Sequence, residues 1–247
     1  MPPLDDNQPS IANKGMGMLM RRTQVHHTLR FSMSRLTGPL RQGSATHPVR
    51  CAIFISGSGS GMQSMLEHQE RNPSCGHTTV VVVSDQSGAS GLLKAKNKGV
   101  EVRDIPLSDS LTGLERRLEH ESSIQKILDE FDVELILLSG YMRLVSPQFV
   151  EHWSPRIINI HPSLLPSFPG AHAHRDVLDT DVKVSGCTVH YVDSGMDTGL
   201  ILAQRRVPVF PNDTESTLAE RVKIEEHRLY PLVIDQLVGH HIYPMES

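Results

Sequence analysis

Between residues 50 and 160, short apolar runs alternate with segments whose apolar residues recur at helical spacing. The runs are apolar or β-branched at nearly every position, as expected of strands that are covered on both faces. They are Cys51–Ile55, Thr78–Ser84 and Val133–Leu138. The segments Leu92–Lys98 and Ile124–Phe131 lie between the runs and predict helices. This alternation predicts parallel strands joined by right-handed crossovers.

The pattern changes after residue 160. Two apolar segments, Val184–Val192 and Ile201–Val209, are separated by too few residues for a helical crossover, so we expect an antiparallel pair. A final helix is predicted from about Thr214 to Leu237, with cap-forming residues at its start and an apolar stripe along it. The expected fold is of the α/β class. It is a Rossmann-like, mostly parallel sheet with helices on both faces, mixed in its C-terminal part by the antiparallel pair.

Residues 1–48 have no sustained periodicity and differ from the rest of the chain in charge. Basic residues outnumber acidic ones by five in residues 1–50, whereas the whole chain has a formal net charge of -4. No acid occurs between Asp6 and Glu67, and Arg, Ser and Thr recur, as in an organelle transit peptide. We expect a disordered leader or a targeting segment at 1–48 and a folded domain at 49–247. The expected location is cytoplasmic, or an organelle if the leader acts as a transit peptide.

Composition narrows the function. Aromatic residues make up only 4% of the chain and the net charge is negative, which disfavours a surface built for nucleic acid. The three cysteines are too few and too scattered for a disulfide framework, and a reducing compartment fits them best. No apolar run is long enough to cross a membrane. We therefore expect small-molecule partners, no nucleic acid or membrane partner, and a monomer or homodimer.

The first strand leads into Ser56–Gly61, a turn of glycine and serine before a predicted helix. Small residues let the backbone approach an anion, and free N–H groups at a helix start point towards it. The turn lacks the third glycine of the dinucleotide fingerprint and the Gly-Lys-Ser/Thr ending of a P-loop. It therefore favours a single phosphate monoester, although a tight turn that binds nothing fits the same sequence. Asp85, after the second strand, leaves a dinucleotide site open.

A second candidate site ends the apolar segment Arg156–His161. Ligands of open α/β sheets bind beyond the carboxyl ends of strands, and Asn159 and His161 point to the same face of an extended chain. A proline-rich loop follows and stiffens the segment. An amide and an imidazole fixed together can stabilise an oxyanion and move a proton.

A third cluster runs from His190 to Asp197 and predicts a strand that enters a polar loop. Asp197 could hold and charge-stabilise a histidine of the second cluster. Asp193 precedes a Ser-Gly pair, and an Asp in such a position usually marks a turn. His190 lies within the predicted strand, and a histidine there can also be a core residue whose hydrogen bonds are satisfied inside the protein.

Several motifs together resemble the folate-dependent formyltransferase family. They are Ser139–Leu144, Asn159–Pro166, Thr188–Val192, Met196–Gly199, Val207–Phe210 and Glu225–Pro231. The similarity covers about residues 50–243 in the family's order. It implies an enzyme that takes a formyl group from the co-substrate 10-formyltetrahydrofolate and needs no metal.

The resemblance also implies roles for individual residues. The catalytic positions fall on Asn159, His161 and Asp197. The substrate-binding positions fall on Gly59, Ser60 and Gly61, which form the phosphate cradle, and on Glu226 and His190. The folate positions fall on Met142, Arg143, Leu144 and Asp193. Residues 49–150 would then be the phosphate-binding half, and 151–247 the catalytic and folate half, of a formyltransferase catalytic domain.

Three branches of the family must be distinguished. Enzymes that formylate methionyl-tRNA carry a further C-terminal domain, and formyltetrahydrofolate deformylases carry an N-terminal regulatory domain. The expectation here is the bare core, which formylates the amine of phosphoribosylglycinamide in purine synthesis by direct attack on the formyl carbon. The alternatives are the deformylase, a hydrolase, and a non-catalytic nucleotide-binding module.

The turn departs from the family in one respect, since Asn usually stands where Gly61 stands and commonly where Ser58 stands. This leaves the strength of phosphate binding open. Two histidine pairs could invite a metal, His172 with His174 and His240 with His241. Neither pair has a third ligand at a suitable spacing, so no metal site is expected.

Overall fold

A computed structural model describes residues 40–239, which form one seven-stranded sheet with helices on both faces. The strands are β1 (Val49–Ile55), β2 (His77–Ser84), β3 (Glu101–Asp104), β4 (Leu135–Leu138), β5 (Ile157–His161), β6 (Val184–Tyr191) and β7 (Ile201–Pro208). The helices are α1 (Ser60–Arg71), α2 (Ser90–Asn97), α3 (Gly113–Glu130), α4 (Pro147–Trp153), α5 (Ala173–Leu178) and α6 (Glu215–Gly239). Among the described residues, no helix is both long and apolar enough to cross a bilayer.

The sheet has the order β3-β2-β1-β4-β5-β6-β7. The pairs from β3 through β5 are parallel, and β5 with β6 and β6 with β7 are antiparallel. The expected fold class, including the antiparallel C-terminal pair, is confirmed. The central strands are apolar throughout because α1, α2 and α6 cover one face of the sheet and α3 and α4 the other.

Three elements were not predicted. Strand β3 (Glu101–Asp104) pairs with β2 at the edge of the sheet. Its residues are mostly polar, because their side chains are exposed or half-buried there. Helices α4 and α5 have seven and six residues, which is too short for a helical period to stand out. Helix α3 begins at Gly113, eleven residues before the expected start at Ile124. Helices α2 and α6 lie within a few residues of their expected positions.

The topology places a crevice at the carboxyl ends of β1 and β4. The chain builds β2 and β3 on one side of β1 and then crosses to build β4 on the other side. The loops after β1 and β4 therefore leave the sheet in opposite directions, which opens a space for a ligand between them. The glycine-rich turn follows β1, and the segment Ser139–Leu144 follows β4.

Residues 40–48, which the sequence analysis grouped with the leader, contact the folded domain. The Arg41 guanidinium makes two hydrogen bonds of 2.6 Å to the Glu134 carboxylate. The Gly43 N–H donates to the Val238 carbonyl at 3.0 Å, and Leu40 packs against the core under α6. The part of the leader at 1–39, and His240 and His241, lie outside the described residues. The division of the chain at residue 48 stays a prediction.

These contacts predict different stabilities for two shortened chains. A chain that begins at Leu40 keeps the Arg41–Glu134 pair, whereas one that begins at Val49 loses it with the Leu40 and Gly43 contacts. Loss of about 1–2 kcal/mol in a domain of this size should lower the Tm by about 3–6 °C. Calorimetry of both chains checks this, and Arg41→Gln in the longer chain isolates the share of the ion pair. Equal Tm values would mean that the segment adds nothing to the fold.

Candidate active site

One cleft of about 870 Å³ opens at the carboxyl ends of β1, β4 and β5. Its walls come from the glycine-rich turn, the loop after β4, the end of β5, the loop between β6 and β7, and α6. All the residues to which the sequence analysis assigned catalytic, substrate-binding or folate positions lie on it, whereas Asp85 does not. They are Gly59, Ser60, Gly61, Met142, Arg143, Leu144, Asn159, His161, His190, Asp193, Asp197 and Glu226. Positions up to 167 residues apart in the chain thus share one site.

Asn159 is held by His190 across the antiparallel pair of β5 and β6. The two residues are direct partners in the register, and the Asn159 Nδ2 lies 3.1 Å from the His190 Nε2. The His190 Nδ1 lies 2.8 Å from the Tyr191 carbonyl, which only accepts, so this nitrogen carries the proton. Burial lowers the pKa of His190, so the ring is neutral at neutral pH and its Nε2 accepts from the Asn159 amide. The second Nδ2 hydrogen of Asn159 is then left for a ligand.

His161 and Asp197 meet beside this pair. The His161 Nδ1 lies 3.4 Å from the Asp197 Oδ2, and the His161 Nε2 donates to the Phe168 carbonyl at 2.9 Å. Because Nε2 already carries a proton, the contact of Nδ1 with the carboxylate is attractive only when Nδ1 is protonated as well. The arrangement therefore suits an imidazolium, which forms when this ring accepts a proton.

The backbone fixes Asp197 in an unusual conformation. Its φ is 55°, in the left-handed region that residues other than glycine seldom adopt, and its Oδ2 accepts from the Gly170 N–H at 2.8 Å. Such backbone strain persists only where the surrounding structure enforces it, and it is concentrated at functional sites. The Asp197 Oδ1 lies 3.6 Å from the His190 Nε2, so one carboxylate borders both histidines.

The proline-rich loop after β5 is held by buried hydrogen bonds as well as by its prolines. The Thr188 Oγ1 donates to the Ser163 carbonyl at 2.7 Å and accepts from the Leu165 N–H at 3.0 Å. The Gln204 side chain donates to the Leu165 carbonyl at 2.8 Å. Because Thr188 pairs with His161 in the sheet, this network fixes the loop relative to the histidine. The sequence pattern gave no sign of it.

The glycine-rich turn presents the start of α1 to the cleft. Gly59, at the N-cap, has a φ of 62°, and no side chain caps the helix in the part of the chain that the structure describes. The N–H groups of the first turn therefore remain available to a ligand. A Cβ at Gly59 would lie 2.9 Å from the Met62 Cε and 3.0 Å from the Gly91 Cα, so both conformation and space require glycine. The Lys94 Nζ donates to the Ser58 carbonyl at 2.9 Å and brings a positive charge to the turn.

Gly61 is matched to Ser139, at the end of β4. A Cβ at Gly61 would lie 2.4 Å from the Ser139 Oγ, so that hydroxyl occupies the space into which a side chain at position 61 would project. Both residues line the cleft. The Asn that the family resemblance leads us to expect at position 61 is absent, and the Ser139 hydroxyl occupies the space that its side chain would need.

The loop after β4 gives the cleft one polar and one apolar border. The Arg143 Nε donates to the buried Asp85 Oδ2 at 2.7 Å. Burial raises the pKa of Asp85, but the polar groups of Ser56, Arg143 and Gln86 outweigh it and hold that pKa below its usual value. The Asp85 Oδ2 is thus engaged by Arg143, and Asp85 does not line the cleft, which disfavours a dinucleotide site there. Met142 and Leu144 are 65% and 58% exposed at the mouth of the cleft.

Asp193 is engaged within its own loop. Its Oδ1 accepts from the Gly195 N–H at 3.0 Å and from the Thr198 hydroxyl at 2.7 Å. This is the turn geometry that the sequence analysis considered as the alternative for Asp193. The residue still borders the cleft, beside Met196 and Asp197.

Helix α6 contributes a half-buried carboxyl group. Burial raises the pKa of Glu226 to about 7, and nearby Lys223 opposes this shift. A carboxyl group in this range exchanges its proton near neutral pH, which is typical of functional sites. Sequence reasoning missed Lys223, His174 and Lys94 as cleft or turn residues. The spacing of Lys223 three positions before Glu226 on a predicted helix was the only available signal.

Comparisons with known proteins identify the family of this chain. Residues 49–234 match the model of the family described as formyl transferase. The chain belongs to that family. Phosphoribosylglycinamide formyltransferase of Escherichia coli (strain K12) is 38% identical over 184 residues, which are 74% of this chain and 84% of that protein.

Further relatives of this formyl transferase are longer or structurally known. The trifunctional purine biosynthetic protein adenosine-3 of Gallus gallus is 44% identical over 194 residues, 78% of this chain. This chain spans about a fifth of the length of that relative (19%). Glycinamide ribonucleotide transformylase 1 from Symbiobacterium toebii has a crystal structure that superposes with a TM-score of 0.74 at 37% identity. The match covers 80% of this chain and 91% of that one.

The raised pKa of Glu226 predicts how stability varies with pH. The folded state holds this proton up to about pH 7, whereas the unfolded state releases it near pH 4.5. The carboxyl group therefore destabilises the fold increasingly as pH rises through this window. Glu226→Gln should be more stable than the parent at pH 8, by on the order of 1–3 kcal/mol, and equally stable at pH 4.

Urea unfolding at pH 4, 6 and 8 measures this difference. Glu220→Gln, an exposed substitution in the same helix, reports the effect of removing one carboxylate from α6. A stability difference between Glu226→Gln and the parent that stays constant from pH 4 to pH 8 would contradict the assignment.

Proposed function

We propose that this chain transfers the formyl group of 10-formyltetrahydrofolate to the amine of 5′-phosphoribosylglycinamide. The observation that carries the proposal is that one cleft joins a helix start suited to a phosphate with the Asn159, His161 and Asp197 cluster. The name of the Escherichia coli relative, which this chain matches over 84% of its length, supports the same reaction.

The phosphate end of the substrate is assigned to the turn before α1. A phosphate monoester would accept from the first N–H groups of α1, at Ser60 and Gly61, and would be favoured by the positive end of the helix dipole. The left-handed Gly59 lets the anion approach the backbone. Lys94 and the Ser139 hydroxyl stand beside this position, so the cradle has polar groups besides its N–H donors.

The amine end of the substrate is assigned to the side of the cleft that Glu226 lines. With a pKa near 7, this carboxyl group can accept a hydrogen bond from the substrate when it is ionised and can exchange a proton near neutral pH. It sits on α6, which faces both the turn and the β5 end. If the substrate amine that receives the formyl group, or a ribose hydroxyl, binds there, it would be directed towards Asn159.

Asn159 is assigned to the oxyanion. When the amine attacks the formyl carbon, the carbonyl oxygen becomes negative, and a preorganised N–H donor stabilises that charge. The hydrogen bond to His190 fixes the amide, and because Asn159 lines the cleft, the remaining N–H would be available to a ligand there. Because His190 is neutral and wholly engaged, we assign it to positioning Asn159 rather than to direct contact with the substrate.

His161 and Asp197 are assigned to the proton. Attack makes the amine nitrogen cationic, and the folate nitrogen must gain a proton before its bond to carbon breaks. His161 would act as the base and accept the amine proton at its Nδ1. The ring would then be an imidazolium that faces the Asp197 carboxylate, 3.4 Å away. The charge pair would then stabilise the intermediate until the proton passes to the leaving nitrogen, directly or through water. No covalent bond to the protein is required.

The folate would lie at the mouth of the cleft. Met142 and Leu144 expose apolar side chains there, and Met196 is 52% exposed on the opposite loop. An aromatic ring inserted between these side chains would remove apolar surface from water on both of its faces. The described residues at this end thus suit a flat, partly apolar co-substrate.

Product analysis tests the reaction. Purified protein is incubated with 10-formyltetrahydrofolate, with and without phosphoribosylglycinamide, and both tetrahydrofolate and formate are measured. We expect tetrahydrofolate to form only with the ribonucleotide and without formate. Formate in the absence of the ribonucleotide would identify the hydrolase, and binding without turnover the nucleotide-binding module.

The catalytic cluster predicts the kinetics of three variants. Asn159→Ala and His161→Ala should each lower kcat by about 10²–10³ because each removes a group that acts on developing charge. Asp197→Asn keeps the shape but removes the charge that faces the imidazolium, so it should lower kcat to a similar extent. Single-turnover kinetics with folate binding measured in parallel checks this. Near-normal turnover in Asp197→Asn would contradict the role of the pair.

The Gly61–Ser139 contact predicts a coupled pair of substitutions. Gly61→Asn alone forces the Ser139 hydroxyl to move and should raise the ribonucleotide KM. In Ser139→Ala the space is free, so adding Gly61→Asn there should lower the KM instead. Because a phosphate far from the reacting amine contributes uniform binding, kcat should change little. A double-mutant cycle on KM for each substrate measures the coupling, and purely additive effects would contradict it.

A further inference from the structure

Four side chains that bind metals in other proteins meet at the end of the sheet opposite the cleft. They are His68 in α1, Cys75 in the turn after α1, His77 at the start of β2, and Asp235 in the last turns of α6. Their ligand atoms all lie within 4.8 Å of one another. The sequence analysis considered other histidines, because Asp235 is at least 158 positions from the rest.

The Asp235 carboxylate is the centre of the cluster. Its Oδ2 lies 2.7 Å from the His68 Nε2, and its Oδ1 lies 3.0 Å from the His77 Nε2 and 3.3 Å from the Cys75 Sγ. The two imidazole rings are nearly parallel, at 8°, with centroids 6.2 Å apart. Each ring directs its Nε2 at the Asp235 carboxylate.

This donor set and its spacing fit Zn²⁺. Zinc in proteins is tetrahedral, with ligand distances of about 2.0–2.3 Å to nitrogen, oxygen and sulfur, which separate the ligand atoms by about 3.3–3.8 Å. The ligand atoms of the cluster lie between 2.7 and 4.8 Å apart, a range that includes these separations. To reach zinc geometry, the contacts of Asp235 need to lengthen by only about half an ångström. Two imidazoles, a thiolate and a carboxylate are ligands that zinc prefers over magnesium or calcium.

The cluster is both anchored and accessible. The His77 side chain is wholly buried, whereas those of His68 and Asp235 are 19% and 23% exposed. Cys75 is also partly exposed. A buried ligand fixes the geometry, and three partly exposed ligands leave an ion a path from solvent.

The Gln69 side chain contacts His77 and therefore affects how this cluster would bind a metal ion. Its Nε2 lies 2.8 Å from the His77 Nδ1, and its Oε1 accepts from the Thr79 N–H at 3.1 Å. When a metal takes the His77 Nε2, the ring proton moves to Nδ1 and needs an acceptor there. Gln69 can supply one only by turning its amide away from Thr79, so this residue opposes the metal in part.

We propose that His68, Cys75, His77 and Asp235 bind one Zn²⁺ ion that ties α1, β2 and α6 together behind the active cleft. On binding, the Cys75 thiol loses its proton to solvent and its thiolate coordinates the metal. Each histidine coordinates through the Nε2 that now faces Asp235. The ion bridges α1 and α6, and both helices supply walls of the cleft.

Metal titration of the full chain tests the proposal. Protein treated with EDTA and then freed of it is titrated with Co²⁺, and with Zn²⁺ against a chromophoric chelator. We expect one ion per chain, the visible spectrum of tetrahedral Co²⁺ and a thiolate charge-transfer band. Free Zn²⁺ at a hundred times its Kd should raise the Tm by about 5–10 °C.

Two substitutions separate this site from adventitious binding. Cys75→Ser keeps a hydroxyl beside Asp235, so it should fold, but it should lose the charge-transfer band and at least tenfold in Zn²⁺ affinity. His152→Asn removes an exposed histidine in α4 and is the matched control, which should leave both unchanged. Absence of a stoichiometric ion, or equal affinity in Cys75→Ser and the parent, would overturn the proposal.

Gln69→Glu provides a gain-of-binding test. A carboxylate can accept from the Thr79 N–H and from a protonated His77 Nδ1 at the same time, as in the carboxylate–histidine–zinc arrangement of known sites. Zinc affinity should rise about tenfold in this variant. An unchanged or weaker affinity would show that His77 is not a ligand and would overturn the four-residue site.

Discussion

The hydrogen bond between Asn159 and His190 is the contact on which the active cleft depends. It exists because the sheet changes from parallel to antiparallel between β5 and β6, which makes these two residues direct partners. In an antiparallel pair, the Cβ atoms of directly opposite residues lie about 5 Å apart. The polar ends of their side chains are then within reach of a direct hydrogen bond. A parallel β6 would have left this position without the same partner. The reversal thus turns a fold suited to binding a phosphate into one that also fixes an amide donor.

Sequence reasoning was most successful where the chemistry is local. The buried strands β1, β2 and β4 were predicted because their apolar character does not depend on partners far away in the chain. Asn159 and His161 could be paired from the sequence because their two-residue spacing fixes their common face in any strand. The hydrogen bond of His190 to Asn159 could not be found in the same way, since it follows from the register of β6 against β5. The position of His190 in an apolar strand fitted a core histidine equally well.

Long-range contacts account for most of what the sequence did not predict. The Ser139 hydroxyl fills the space beside Gly61 because β1 and β4 are adjacent, although 78 positions separate the two residues. The segment 40–48 looked unstructured because its contact residues, Glu134 and Val238, are distant in the sequence and leave no periodic pattern. Asp193 shows the opposite case, since its turn geometry is local and was considered beforehand.

Helix α6 links these features because it is pinned to the centre of the sheet. The Tyr230 hydroxyl lies 2.9 Å from the Ile158 carbonyl and 3.2 Å from the Leu138 carbonyl, so it bridges β4 and β5 close to the cleft. Glu226 precedes Tyr230 by one helical turn and is held over the cleft by that anchor. The anchor keeps the carboxyl group at this half-buried position, where burial raises its pKa. A substrate that donates a hydrogen bond to Glu226 would favour the ionised form and so relieve this destabilisation on binding. The stability that the raised pKa of Glu226 costs the fold would thus be recovered as binding energy for a ligand with a donor at the same place.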